Sequence, residues 1–297
     1  MFGWIALAGA FGGGMFGAAM GALPAFAFAG LAVLVGVAVE LSGAPYDFLG
    51  QVAFGPVFGP HIAFAGGVAA AAYAARRGEL DDGTDIISPL AGLATIDVLM
   101  VGGAFGAGGY LAEAALTPLL DGWLDIVALV VFLSGLVARL AFGRTGLLGA
   151  ADEHGSRFTP HGEHVWVEYQ QDWPQAAALG LGTGLFSSYL ALTILETNPD
   201  ATLSAITAGF GVSAATLLFL ALGAEFPVTH HMSISAAYVA VASGNLLLGV
   251  VAGVVAGLVG EVVSRVFYVR GDTHVDPPAG AIAIMSPFGL IPMALMG

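Results

Sequence analysis

Few residues of this chain can do chemistry, and they sit in strongly apolar surroundings. Asp97, two residues after Thr95, lies well inside an apolar stretch that runs from 88 to 109. A carboxylate in hydrocarbon costs about 3 kcal/mol even on insertion scales, so it needs a cavity or a partner. Asp97 therefore reads as a proton or cation site, or as an Asp neutralised by burial and bonded to nearby hydroxyls. His61, His230 and His231 each open an apolar segment after a proline-containing approach through Pro60 or Pro227. Imidazoles at such positions relay protons, hold an anion at a helix start, or simply cap helices at the membrane interface. Asp97, Thr95, His61, His230 and His231 are the candidate path for a substrate or ion.

Other chemistries find less support. Glu261 stands four residues before Arg265, the spacing of an ion pair within one helix. Asp125 and Glu40 lie near span ends, where water reaches them. His154, His161, Glu163 and His164 are potential metal ligands, but their spacing matches no zinc pattern, so no metal is expected. With no cysteine there is no disulfide, thiolate chemistry or iron–sulfur cluster. No nucleophile elbow or HExxH motif occurs. Gly12-Gly13-Gly14 falls in a spanning segment and no lysine exists to contact phosphate, so neither a catalytic residue nor a cofactor is assigned.

The elements that must position these residues follow from composition. Hydrophobic residues make up 58% of 297 positions and charged ones 9%, and the apolar stretches recur at the length that spans a bilayer as helix. The chain reads as an all-α polytopic transmembrane bundle of ten spans: 3–22, 24–41, 58–76, 88–109, 123–142, 175–196, 201–222, 229–245, 248–269 and 277–296. Met1 to Ala10 has no basic n-region, so the first segment is expected to stay as a helix. Between spans two and three, residues 43–61 are too apolar for an ordinary loop and too broken by Gly and Pro for a helix, which suits a re-entrant segment. The polar linker 143–174 separates a first unit, 1–142, from a second, 175–297.

Arginine placement orients these spans. Arg76, Arg77, Arg139, Arg144, Arg157, Arg265 and Arg270 follow or close spans three, five and nine, so ten spans put them all on one side, the cytoplasm, with both termini outside. A short run also occurs twice. Ser88-Pro89-Leu90-Ala91-Gly92 answers Asp276-Pro277-Pro278-Ala279-Gly280, each after a polar stretch and an Arg-Gly step. As helix openings, both place Pro in the first turn behind an N-cap, with Pro89, Gly92, Pro277, Pro278 and Gly280 in matching roles. The pairing makes spans one to four answer seven to ten in parallel, with Asp97 opposite Met285. A second likeness, His61 to Gly67 with His231 to Ala237, conflicts with that register.

The stretch His274-Val275-Asp276-Pro277-Pro278-Ala279-Gly280 resembles the signature of the HPP family of integral membrane proteins, in which His-Pro-Pro is followed by Ala-Gly and a small apolar run. The resemblance implies movement of nitrite or related small anions. Val275 and Asp276 interrupt the His-Pro-Pro step here, and the first copy has no histidine. The net charge of −14 with no lysine resembles the proteins of salt-loving archaea, whose carboxylates stay hydrated in brine. Runs such as Glu79 to Asp85 then read as solvated loops, and nucleic acid is excluded as a partner.

Glycines supply packing. Gly249, Gly253 and Gly257 recur on one helix face, and Gly102, Gly103, Gly106, Gly108 and Gly109 crowd another. The expected function is a transporter or channel for a small solute or ion, its path between the two units. The alternative is a non-transporting scaffold, a homo-oligomer assembled through the Gly faces. A membrane-embedded enzyme using His230, His231 and nearby carboxylates ranks third. The lipid bilayer is a partner in all three.

Overall fold

The computed structural model describes residues 3–150, 158–159 and 165–296. His154, His161, Glu163, His164 and Arg157 fall outside the described residues, and so does part of the 143–174 linker. Helix dominates because a backbone in hydrocarbon must satisfy its own N–H and C=O groups. The helices are α1 Trp4–Met20, α2 Ala22–Leu41, α3 Ala63–Arg77, α4 Ile96–Leu120, α5 Ile126–Phe142, α6 Trp173–Thr197, α7 Thr202–Ala221, α8 His230–Ser243, α9 Leu246–Tyr268 and α10 Pro277–Met296. Six of them, α2, α4, α6, α7, α9 and α10, are long and apolar enough to cross a membrane. α1 and α5 are apolar but shorter, and α3 and α8 are shorter still and mostly buried. The chain is a multi-pass membrane protein by these helices.

Glycine lets the helices meet. A Cβ at Gly14 of α1 would strike Gly102 and Gly106 of α4, and one at Gly253 of α9 would strike Gly180 and Gly184 of α6. Both are backbone-to-backbone seams between antiparallel helices. In one, Ala10 and Gly14 follow Gly106 and Gly102; in the other, Ala176 and Gly180 follow Gly257 and Gly253. The Gly faces expected to assemble copies of the chain are thus occupied within it.

Contacts between the halves set directions. α2 runs against α7 in the opposite sense, with Gly30 beside Ala214, Gly211 beside Val33 and Leu34, and Glu40 bonded to Ser204. α5 likewise opposes α10: Asp125 N donates to Ser286 Oγ at 2.8 Å, Gly135 faces Val275, and Arg139 donates to Thr273 Oγ1 at 3.1 Å. Since α3 runs with α5 and against α4, helices α4 and α10 share a direction, as the arginines implied.

The paired helix openings, however, do not exist. Pro89 and Gly92 lie in an exposed loop with a single turn of tight helix at Leu90–Leu93, and Ala94 takes a left-handed φ of 54° before α4 starts at Ile96. Only Asp276 acts as the expected cap, its carboxylate accepting from Ala279 N at 2.7 Å with Pro277 and Pro278 in the first turn. The N-cap that matches it is Asp125, which accepts from Ala128 N at 2.8 Å. The parallel register therefore rested on a likeness between a loop and a helix start.

The described arginines gather at one end. There the guanidinium of Arg139, 1% exposed, binds the carbonyls of Phe267 and Thr273, and Arg265 donates to Phe158 O and Gln171 O. Asp272 accepts from Arg144 N at 2.6 Å and Thr145 Oγ1 at 2.7 Å, tying the end of α5 to the approach to α10. Burial raises the Asp272 carboxyl, but the Thr145 hydroxyl, the Arg144 N–H and the Arg139 charge outweigh it, so the group titrates below its ordinary value.

Two outcomes follow from these contacts. Gly14→Ala should lower stability by about 1–3 kcal/mol through overpacking. Gly108→Ala, with nothing within 4 Å of the added methyl, should stay within about 0.5 kcal/mol. Thermal unfolding in detergent separates them, and equal effects would contradict the seam. For Asp272, the lowered folded value means that its stabilisation is present above the ordinary carboxylate value and is lost as pH falls through the folded one. Asp272→Asn should reduce the unfolding midpoint at neutral pH, and the gap from the parent should shrink below about pH 4. A gap independent of pH would point to packing instead of charge.

Candidate functional site

A cavity of about 730 Å³ lies between the two halves, lined by α2, α3, α4 and α5 from the first and α7, α8 and α10 from the second. Its lining runs from Asp85 and Glu168, at the arginine-bearing end, to Glu113 and Asp121 at the other. Asp125 and Asp276, the N-caps of α5 and α10, stand between them. These six carboxylates share the wall with His230 and His274, and among the described residues no arginine reaches it.

Each N-cap carboxylate has a second partner. Tyr238 of α8 donates its hydroxyl to Asp125 Oδ2 at 2.9 Å, and His274 Nε2 lies 3.1 Å from Asp276 Oδ1. An Asp at this position supplies an acceptor for the unsatisfied N–H groups at the start of its helix. The remaining wall is apolar, mostly aliphatic side chains with a group of rings among them. Phe26 packs 5.6 Å from Phe64 and 5.9 Å from Phe210, and the His230 ring sits 4.7 Å from Phe26. The linker supplies part of the lining as well. Trp166, Glu168 and Tyr169 face the cavity, held by buried Gln170, which bonds Val228 through both its amide oxygen and nitrogen.

The candidates from sequence divide around this cavity. His230 and His274 line it, with Asp276 and Pro278. His61 is fully buried just behind Pro60, its Nε2 3.0 Å from Glu113 Oε2, so it supports the wall without forming it. His231 turns the other way, towards Gly260 and Trp166, with neither ring nitrogen bonded. Pro277 and Gly280 are buried in helix packing, the latter against Phe132 and Val263.

Asp97 is not at mid-membrane. It occupies the first turn of α4, half exposed, and pairs with Arg77 while Tyr73 donates to it at 3.0 Å. Thr95 caps the same end and bonds Leu93 O at 3.0 Å. The apolar stretch 88–109 misled because its first residues are loop, which moves the start of the helix to Asp97. Glu261 and Arg265 form the expected buried pair at 3.7 Å, with Arg265 also over the Trp173 ring at 4.0 Å.

Asp125, Glu113 and Tyr238 were the missed residues. A signal for the first was present. Gly102, Gly106 and Gly109 are spaced like Gly253, Gly257 and Gly260, and Asp125 follows its glycines at the distance at which Asp276 follows the others. Among the described residues, no cluster of three or more His and acidic side chains could hold a metal ion.

No curated protein and no solved structure matches the chain. A family model does, over residues 2–165 and 161–295, and the chain, a multi-pass bundle around an acidic and aromatic cavity, belongs to that family, the family of unknown function DUF7973.

Proposed function

We propose that the protein is a membrane transporter for a small cationic solute whose path is the cavity between its halves. The observation that carries this reading is the lining, which among the described residues presents six carboxylates and no arginine, in a chain that has no lysine. Carboxylates in a low-dielectric cleft concentrate cations and repel anions. The nitrite-like cargo implied by the HPP resemblance fits such a wall poorly. Asp125 and Asp276 take the role first assigned to Asp97, each offering one carboxylate from one half.

Alternating access has a basis in the same arrangement. We read the chain as two units of five crossing helices, α1–α5 and α6–α10, related by inversion. The antiparallel pairs α2 with α7 and α5 with α10, the two glycine seams, the paired N-caps and the family match over both halves support this. An odd number of crossings per unit makes the second start from the opposite side. His61 and His231 then stand at equivalent helix starts, which explains the likeness that conflicted with the parallel register. Each glycine seam stiffens one unit, so rocking one unit on the other opens the cavity to alternate sides. The arginine end faces the cytoplasm in this reading. Occupation of the Gly faces within the chain weakens the scaffold alternative.

Flux into proteoliposomes tests the proposal, with sodium, protons, organic ammonium ions, chloride and nitrite offered in turn. Cation uptake is expected, falling about tenfold or more in Asp125→Asn or Asp276→Asn, as losing one charge contact of 1.4 kcal/mol requires. Asp97→Asn should leave it unchanged. Preferred anion flux, or no flux of any species, would refute the transporter.

A further inference from the structure

We infer that the solute is a protonated organic amine with an apolar body, in preference to an inorganic cation. This deepens the transporter reading and rests on it for transport, but not for binding. Size is the first ground. A cavity of about 730 Å³ falls in the range that holds small organic ligands, whereas one water needs only about 10–15 Å³ of such space.

Surface chemistry is the second ground. An inorganic ion asks for converging oxygens, yet Phe26, Phe64 and Phe210 line the same cavity as the carboxylates, packed edge to face with ring centroids 5.6 and 5.9 Å apart. Aromatic faces attract an alkylammonium through their quadrupoles and also shelter its carbon skeleton. Asp276 and Asp125 then balance the charge.

The third ground is an unused acceptor. His274 is 3% exposed and lines the cavity, and its Nε2 faces the Asp276 carboxylate at 3.1 Å. In the neutral ring that nitrogen carries the proton and donates it, which leaves Nδ1 as an acceptor. Among the described residues Nδ1 has no partner, and neither has Nδ1 of His230, a cavity-lining residue that is 5% exposed. A buried acceptor left unsatisfied costs about 1–3 kcal/mol. An N–H of a protonated amine satisfies it, whereas sodium and a quaternary ammonium carry no proton to give.

Binding to the purified full chain in detergent, by calorimetry, tests this with triethylammonium, tetraethylammonium, neutral 3,3-dimethylbutanol and sodium. Triethylammonium should bind tightest, tetraethylammonium several-fold weaker, and the alcohol and sodium at least tenfold weaker. Phe26→Leu, which keeps the apolar volume, should weaken triethylammonium several-fold, and Asp276→Asn more. Because the ligand series uses the unaltered protein, misfolding of a variant leaves the test intact. Sodium or the alcohol binding as well as triethylammonium would overturn the inference. Asp-dependent sodium flux without amine binding would overturn it too while sparing the transporter. Amine binding without flux would uphold the site and refute transport.

Discussion

Helices in hydrocarbon gain almost nothing by burying apolar side chains against one another, so close backbone contact has to hold them. In this protein that contact is made at two glycine seams, Gly14 against Gly102 and Gly106, and Gly180 and Gly184 against Gly253. Each seam fastens the outer helices of one half, α1 with α4 and α6 with α9. Of the helices left over, α2 and α5 from one half meet α7 and α10 from the other across the middle, and with α3 and α8 they frame the cavity. Bulkier residues at the seams would push α4 and α9 outward and take the walls with them.

Charge is distributed in accord with this frame. The positive groups collect at one end, where Arg139 and Arg265 bind backbone carbonyls that no helix satisfies. Two of the carboxylates that reach the cavity, Asp125 and Asp276, do so at helix N-termini, where backbone N–H groups bind them. The result, among the described residues, is a cavity lined by carboxylates and apolar side chains with no arginine.

Much of the bundle was legible in the chain. The span limits fall close to nine of the ten helices because hydropathy over twenty residues is a local property that the membrane itself demands. The exception, 88–109, begins with a loop that is as apolar as a helix. Ala94 in a left-handed conformation and a start at Ile96 carry no compositional mark. That error carried Asp97 from the start of α4 into its middle and matched a loop with a helix start. The 143–174 linker was read as merely polar, yet Trp166 and Tyr169 reach the cavity because Gln170 pins them to Val228.

The sequence by itself determined that the chain is helical, that it lies in a membrane, and that its arginines share one end, since each of these depends on composition along a segment. Only the tertiary structure decided which carboxylates face the cavity and which helices pack against one another across the halves. A side chain's direction depends on how its helix is rotated and tilted against its neighbours, and those neighbours are distant in sequence. Asp97 and Asp125 look alike on the page. One is tied to Arg77 at the bundle's end and the other is aimed by Tyr238 into its middle, and that difference is made by packing alone.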